Sequence, residues 1–263
     1  MLSPSPTVQV FDSLSASYRE AFEAFLAHTD QKVNAQAFLS RVVSGLPSRR
    51  LFIDVGAGEG GTTRHLAPDF LRTVAVEPSV HLHEALGRAC PQAVIVAEPV
   101  ADAKITERAD LVLCSHVLYY LPRAEWVATV ARMLEWVTDG GELVVMLQNP
   151  GSDCMRMLRH FTGVAFDLAA LRRELVAAGA CPTAAASVEP VPAMVRTPDA
   201  DTAVTIAEFM LNLVPLSQLS ALPTRAELHE YVARYFAAED GGFAFSSTQD
   251  CLRLRKVPAS TPV

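Results

Sequence analysis

The stretch Leu51-Phe-Ile-Asp-Val-Gly-Ala-Gly-Glu-Gly-Gly61 places a short apolar run directly before a glycine-rich turn. An apolar run of this length is typical of a strand that is buried on both faces of a sheet. Glycine has no Cβ, so the turn can be sharp and a ligand can approach the main chain closely. The next residues, Thr62 to Leu66, suit the first turns of a helix whose N-terminus offers unpaired N–H groups. Together they predict a ligand site at the end of the strand.

Four more apolar runs follow along the chain, and helical segments separate them. A helix with Trp126, Val130 and Met133 on one face, for example, follows the fourth strand. Strands that alternate with helices predict an α/β fold with a parallel, doubly wound, Rossmann-like sheet. The four runs are Thr73–Glu77, Ala93–Ala97, Asp110–Cys114 and Leu143–Leu147, the last of them preceded by an Asp139-Gly140-Gly141 turn.

The remaining length forms two additions to this sheet. Apolar residues recur at helical spacing over residues 13–45, which predicts N-terminal helices. We therefore expect a helical cover over residues 1–48 and a main domain over residues 49–263. Within the main domain we expect a helical insertion at about 199–240 that acts as a lid, and then a closing strand. Further helices are predicted over 167–179, 202–213 and 224–238, and the closing strand over about 244–254.

The composition excludes several classes of protein. The net charge of the 263 residues is −7, the opposite sign to that of proteins that track a nucleic-acid backbone. The five cysteines are scattered and form no CxxC pair, so neither a disulfide framework nor a structural zinc site is predicted. The N-terminus does not resemble a signal peptide, and no run of about 18 apolar residues predicts a membrane span. We expect a cytoplasmic protein without nucleic-acid or membrane partners; its oligomeric state stays open, and a monomer is compatible with the sequence.

Two acidic residues narrow the choice of ligand. Asp54 lies inside the end of the first strand, where a pyrophosphate would be repelled but an ammonium or sulfonium group would be stabilised. Glu77 ends the second strand, where a carboxylate can accept hydrogen bonds from both hydroxyls of a ribose. Dinucleotide-binding enzymes use such an acid as well, and Gly56, Gly58 and Gly61 also match their GxGxxG pattern. An NAD(P)-binding oxidoreductase therefore remains an alternative, as does a cofactor-binding protein without catalytic activity.

At these residues the chain resembles the class I S-adenosylmethionine-dependent methyltransferases, over about residues 48–150 and the closing strand. Their pattern is an acid two residues before the first of three alternating glycines, and then an acid at the end of the second strand. The resemblance implies a seven-stranded sheet with S-adenosylmethionine as the cofactor, its ribose on Glu77 and its methionine end near the glycines. The cofactor residues that it implies are Asp54, Gly56, Ala57, Gly58, Gly60, Glu77, Pro78, Glu98, Ser115 and His116.

A narrower likeness runs along nearly the whole chain. Segments around Tyr18–Gln31, Val76–Ser79, Leu118–Tyr120 and Leu222–Leu228 are similar to histamine N-methyltransferase and its relatives, in the same order. Ser246 or Ser247 stands where that family has a late asparagine, so we expect a small acceptor other than histamine. The acceptor-binding residues that we predict are Tyr18, Phe22, Asp30, Gln31, Tyr119 and Tyr120, with ordinary core packing as the alternative for the aromatic ones.

Methyl transfer from a sulfonium group needs a nucleophile held in line and shielded from water. A nitrogen acceptor presents a neutral lone pair, whereas a hydroxyl acceptor needs a base, for which His116 is the candidate. We therefore assign His116 and Tyr120 as candidate catalytic residues. His81 and His83 are two residues apart, a spacing that separates side chains on a helix, and no metal site is predicted. The sequence favours a small-molecule methyltransferase that acts on an amine or imidazole nitrogen, with O-methylation as the alternative.

Overall fold

The computed structural model describes residues 6–12, 15–239 and 241–257. In this part of the chain the helices are α1 (Ala16–His28), α2 (Gln31–Ser44), α3 (Gly61–Leu66), α4 (His83–Ala89), α5 (Trp126–Glu135), α6 (Asp153–Thr162), α7 (Leu168–Ala177), α8 (Ala200–Leu211) and α9 (Arg225–Tyr235). The strands are β1 (Leu51–Val55), β2 (Arg72–Val76), β3 (Val94–Val96), β4 (Ala109–Ser115), β5 (Val137–Gln148), β6 (Ala186–Val191), β7 (Met194–Thr197), β8 (Phe243–Ser246) and β9 (Gln249–Arg255).

Seven of these strands form one mixed sheet in the order β3-β2-β1-β4-β5-β9-β6. The neighbours β3, β2, β1, β4 and β5 are all parallel, as the alternation of strands and helices predicts. The strand order reverses beside β1, because the chain first builds outward to β3 and then returns to β4 on the other side. The predicted Rossmann-like α/β fold with seven strands is therefore confirmed.

The chain divides into two compact units, which we call the sheet unit and the helical unit. The sheet unit takes its described residues from 35–147, 167–191 and 250–263. The helical unit takes its described residues from 1–34, 148–166 and 192–249. The predicted division at residue 48 stays a prediction; in this partition the cut falls between Asn34 and Ala35, inside α2.

One face of the sheet is covered by α2. Its residues Phe38, Leu39, Val42 and Val43 are buried in a single apolar cluster with residues of β1, β4 and β5. The β4 and β5 members alternate along their strands, because successive side chains of a strand point to opposite faces. The strand residues of the cluster are Phe52, Leu111, Leu113, Val144 and Met146. Burial of this kind contributes about 25 cal/mol per Å² of apolar surface, so α2 is held to the sheet mainly by hydrophobic contact.

The glycine pair Gly140-Gly141 does not form a turn before the fifth strand, so that prediction is wrong. Strand β5 already begins at Val137, and the glycines lie within it. The register against β4 shifts between Ala109 and Leu111, which marks an irregularity of the β-bulge type. A Cβ on Gly141 would lie 2.8 Å from the carbonyl oxygen of Asp110, so only glycine permits this close approach.

The predicted closing strand over about 244–254 is two strands in two sheets. Strand β8 pairs with β7 in an antiparallel two-stranded sheet, whereas β9 joins the seven-stranded sheet. Ser247 and Thr248 separate them, and the N–H of Ser247 still donates to the carbonyl of Ala193, which extends the β7–β8 pairing by one residue. The interruption lies in a polar run, Ser246 to Asp250, that contains neither glycine nor proline, so the sequence pattern does not mark it as a turn.

The helical unit consists of α1, α6, α8, α9 and the β7–β8 pair. Three of its helices begin at side chains that accept a hydrogen bond from the first turn, namely Ser15 for α1, Asp199 for α8 and Thr224 for α9. Helix α6 was not singled out in the sequence, although Ser152 and Gly163 border it. No helix within residues 6–12, 15–239 and 241–257 is long and apolar enough to cross a membrane.

Candidate functional site

The carboxyl ends of four parallel strands meet at one edge of the sheet. The strand register aligns Val55 of β1 with Val76 of β2 and with Cys114 of β4, and Val76 with Val96 of β3. The residues that follow these four positions therefore lie side by side, at the point where the strand order reverses. In open α/β sheets this switch point is where ligands bind.

The glycine-rich turn after β1 uses backbone conformations that favour glycine. Gly56, Gly58 and Gly60 have φ values of +71°, +57° and +81°. A Cβ on Gly56 would lie 2.2 Å from Val117 Cγ2, and a Cβ on Gly60 would lie 2.8 Å from Leu86 Cδ1. A Cβ on Gly58 would meet nothing within 4 Å, so the space beside this glycine is open to a ligand. The first and third glycines thus allow close packing, whereas the second borders free space.

Glu77 ties the turn to the end of β2. Its Oε2 accepts a hydrogen bond of 2.8 Å from the N–H of Gly58, and its Oε1 accepts one of 2.9 Å from the N–H of Ser79. Only 6% of the residue is exposed. Each carboxylate oxygen has a second lone pair, so the side chain can accept further hydrogen bonds from a ligand. Glu77 is therefore both a brace for the turn and an acceptor at its surface.

Asp54 lies buried beneath the same turn. Its Oδ2 accepts a hydrogen bond of 2.6 Å from the hydroxyl of Thr63 in α3. Burial, together with the negative charge of Glu77, raises the pKa of Asp54 to about 6, although the bond from Thr63 opposes this shift. A cation placed near the turn would reverse part of the shift, because it stabilises the charged carboxylate.

His116 follows β4 in a conformation that is uncommon for a residue with a side chain. Its φ is +59°, and its N–H donates to the carbonyl of Met146 in β5 at 2.9 Å. Its Nδ1 lies 3.2 Å from the hydroxyl oxygen of Tyr119, and the two rings stack with their centroids 5.7 Å apart. Desolvation by the surrounding protein lowers the pKa of His116 to about 4, so the imidazole is neutral at neutral pH.

The other predicted cofactor residues in the sheet unit are more exposed. Pro78 and Glu98 are exposed after β2 and β3, and Ser115 is half-buried at the end of β4. Of the two adjacent tyrosines, Tyr119 is buried, and 75% of Tyr120 is exposed. Tyr120 is thus accessible to a ligand, whereas Tyr119 supports His116 from the interior.

The remaining predicted acceptor residues belong to the helical unit. Tyr18 and Phe22 stack on each other in α1, and both rings contact Phe209 of α8 at centroid distances of 5.6 and 5.7 Å. Asp30 accepts a hydrogen bond from the N–H of Met194, and Gln31 donates one of 2.7 Å to the carbonyl of Ser247. These contacts connect α1 and the start of α2 to α8 and to the β7–β8 region, so each of the four residues has a structural role in its unit.

Three contributors to the site were not found from the sequence. Thr63 binds Asp54, Val117 occupies the space that a side chain at position 56 would need, and His83 places Nε2 2.7 Å from the main-chain carbonyl oxygen of Glu77. A carbonyl only accepts, so His83 carries a proton on Nε2. The hydrogen bond from Thr63 could have been predicted, because this hydroxyl follows the buried acid closely in the sequence, near the start of α3. The contacts of Val117 and His83 depend on the three-dimensional path of the chain. Within the described ranges, no three potential metal ligands come together.

Comparisons with known proteins agree with this arrangement. Residues 26–180 match the family model described as "Methyltransferase domain". No curated protein matches the chain. Among solved structures, a putative methyltransferase from Bacillus halodurans C-125 is 16% identical, with a TM-score of 0.56 over 84% of this chain and 98% of that chain.

Two further structures are similar in fold. A functionally unknown protein from Deinococcus radiodurans R1 is 14% identical, with a TM-score of 0.56 over 87% of this chain and 88% of that chain. The N-methyltransferase NodS from Bradyrhizobium japonicum WM9, in complex with S-adenosyl-L-homocysteine, is 17% identical, with a TM-score of 0.52 over 93% of this chain and all of that chain. The family model spans more than half of the chain: the chain belongs to the methyltransferase-domain family, and its cofactor is S-adenosylmethionine.

Proposed function

We propose that this methyltransferase transfers a methyl group to a nitrogen of a small amine or imidazole compound. The observation that carries the choice of nitrogen is the environment of His116. The candidate base has a pKa lowered to about 4, and a general base is most effective when its pKa lies near the working pH. A hydroxyl acceptor would depend on such a base, whereas a neutral amine or imidazole presents its lone pair without one.

The residues after β1 and β2 fit the cofactor. The open space beside Gly58 would take its methionine end, and the carboxylate of Glu77 would accept the ribose hydroxyls. Asp54 lies behind the turn, where its charged form would be stabilised by the cationic groups of the cofactor. Ala57, Pro78, Glu98 and Ser115 complete the set that we assign to the cofactor. When bound, S-adenosylmethionine supplies a methyl group activated by its sulfonium centre.

The residues after β4 would position the acceptor. The exposed ring of Tyr120 offers a face to an aromatic or cationic compound, and the neutral His116 can accept a hydrogen bond from it. The stacked Tyr119 ring holds the orientation of His116. Tyr18, Phe22, Asp30 and Gln31 are proposed as acceptor residues because their sequence segment resembles the histamine N-methyltransferase family.

The charge of the chain supports a small acceptor. At −7 the chain would repel a nucleic-acid backbone, whereas a neutral or cationic amine is not repelled. We accordingly propose a cytoplasmic enzyme without nucleic-acid partners, and the oligomeric state is not part of the proposal.

A product assay tests the proposal. The protein is incubated with S-adenosylmethionine labelled in its methyl group and with matched panels of small imidazoles, amines and phenols, and mass spectrometry locates the label. We expect N-methylated products from at least one imidazole or amine, and less of the same product from Glu77→Gln at limiting cofactor. Label found only on phenol or carboxylate oxygens would refute the choice of nitrogen.

A further inference from the structure

The helical unit contains a groove between α6 and α9 that no part of the methyltransferase motif uses. It consists of two adjoining cavities of ≈480 Å³ and ≈590 Å³ that share His160, Tyr231 and Tyr235 as lining residues. Volumes in this range are typical of sites for small molecules. We call it the aromatic groove and define it by its rings: His160, Phe161, Tyr231, Tyr235 and Phe236.

The rings of the aromatic groove form one contiguous patch. Tyr231 is at its centre, with ring centroids 5.1 Å from His160, 5.5 Å from Phe161, 4.6 Å from Tyr235 and 5.7 Å from Phe236. Phe236 is buried, but 58% of Tyr235 is exposed, and His160 is exposed as well. The four rings other than Phe236 are at least partly exposed and adjoin one another, so they form a concentrated aromatic surface. Such a surface favours a flat aromatic ligand, which can stack or meet the rings edge-on.

The charges that line the two cavities are three arginines and three acids, and most of them already have a partner. Asp153 binds Arg156 and also accepts from the N–H and hydroxyl of Ser246. Glu227 closes the capping box of α9. Arg234 lies over the ring of Tyr235, 5.4 Å from its centroid. The remaining two are Arg159 and the exposed Glu230.

Arg159 is the cation that is available to a ligand. It is exposed on α6 and lines the larger cavity together with Tyr231 and Tyr235, and in the described part of the chain it makes no ion pair. Its charge reaches the Tyr231 hydroxyl: burial and Tyr235 raise the pKa of Tyr231, whereas Arg156 and Arg159 oppose that rise. A guanidinium group binds a carboxylate through two parallel hydrogen bonds. The arginines and acids of the lining are equal in number, so it has no net charge, and Arg159 alone offers a partner for a single carboxylate.

We propose that the aromatic groove is a second ligand site, which binds a small planar aromatic monocarboxylate with its ring against Tyr231 and Tyr235 and its carboxylate on Arg159. None of its lining residues belongs to the set that we assign to the cofactor or to the nitrogen acceptor. Its ligand is an anion with one or two rings, whereas the acceptor proposed above is a neutral or cationic nitrogen compound.

Calorimetric titration of the full chain with three matched probes tests the proposal. Phenylacetate has the ring and the negative charge, cyclohexylacetate keeps the charge but has no aromatic ring, and 2-phenylethylamine has the ring with a positive charge. We expect saturable binding of phenylacetate and weaker binding of cyclohexylacetate. The affinity for 2-phenylethylamine should be the same in wild type and in Arg159→Gln. Absence of saturable phenylacetate binding, or equal affinity for cyclohexylacetate, would overturn the proposal.

Variants then locate the site. Arg159→Gln should weaken phenylacetate binding by about tenfold, the loss of one charge-assisted interaction. Arg173→Gln removes an equally exposed arginine from α7 and should leave the affinity unchanged. Tyr231→Leu should weaken binding as well, and S-adenosylhomocysteine affinity should stay at the wild-type value in Arg159→Gln. Phenylacetate affinity that is the same in Arg159→Gln and wild type would place the binding elsewhere and refute the site.

Discussion

The carboxylate of Glu77 stabilises the glycine-rich turn and is also the proposed acceptor for the ribose of the cofactor. It accepts a backbone N–H from the glycine-rich turn on one oxygen and another N–H from its own strand end on the other. A residue in this position braces the loop and presents its remaining lone pairs to a ligand. Its replacement should therefore affect both the shape of the turn and the proposed acceptor for the ribose.

We predict that Glu77→Gln weakens S-adenosylhomocysteine binding by about 1.5–3 kcal/mol, because charge-assisted hydrogen bonds to the carboxylate are lost. Calorimetric titration measures this change. Glu107→Gln is the control, since Glu107 is an exposed acid that pairs with Arg72 at the surface. Equal affinity of the Glu77 variant and wild type would mean that this acid does not hold the ribose.

Two glycines of the turn, Gly56 and Gly58, should respond differently to substitution by alanine. Gly58→Ala should lower the free energy of unfolding by about 1–2 kcal/mol, the cost of a left-handed residue with a Cβ, yet it should abolish tight binding of S-adenosylhomocysteine. Gly56→Ala should destabilise the fold more, because its Cβ would meet Val117. Denaturant unfolding and titration of both variants with S-adenosylhomocysteine check this order. Unchanged cofactor affinity in Gly58→Ala would contradict the proposal that the cofactor occupies the space beside that glycine.

The lowered pKa of His116 predicts a pH dependence. The unfolded chain takes up a proton on this histidine near pH 6.5, whereas the folded chain does so only near pH 4. His116 therefore makes the fold lose stability as the pH falls from 6.5 to 4. Asp54 acts in the opposite direction between pH 3.8 and about 6, because its folded pKa is raised.

Comparison with a variant isolates the histidine. In His116→Asn, which keeps a residue that tolerates positive φ, the melting temperature should fall less than in wild type between pH 6.5 and 4. Parallel melting curves for the two proteins over this range would contradict the lowered pKa. The pH profile of turnover near pH 6.5 should also be the same in wild type and in His116→Asn.

At the scale of elements, the sequence was most informative where a period or a cap sets the structure locally. The N-terminal helices within residues 13–45 and the five parallel strands both follow from apolar spacing. The irregularity at Gly140-Gly141 and the division of the closing segment into β8 and β9 could not be found in this way. Both depend on partners distant in the chain, such as Asp110 and Ala193.

Helix α9 offers a test of local stabilisation. The Thr224 hydroxyl accepts from the N–H of Glu227, whose carboxylate in turn accepts from the N–H of Thr224. Thr224→Ala should lower the free energy of unfolding by about 1 kcal/mol, because the first turn loses its cap. Thr205→Ala in α8 is the control, because the hydroxyl of Thr205 only donates to the carbonyl of Asp201 one turn earlier in the same helix. A loss no larger than that of the control would show that the cap is not needed.

At the scale of the whole molecule, the two units differ in how far the sequence predicts them. The family match ends at residue 180, so most of the helical unit lies beyond it. The proposed cofactor site is an acid, three glycines and a second acid at fixed places in the sheet unit, and this pattern can be recognised in a single sequence. The acceptor imposes no such pattern, and the rings and charges of the helical unit come together from three separate stretches of chain.

The turn after β1 and the acid after β2 form the proposed cofactor site. A crystal structure of the full chain with S-adenosylhomocysteine tests it most directly. We predict that both ribose hydroxyls lie within hydrogen-bonding distance of the Glu77 carboxylate, with the homocysteine end against Gly58. A ribose bound away from Glu77, or a cofactor that leaves the space beside Gly58 empty, would contradict this assignment of the cofactor site.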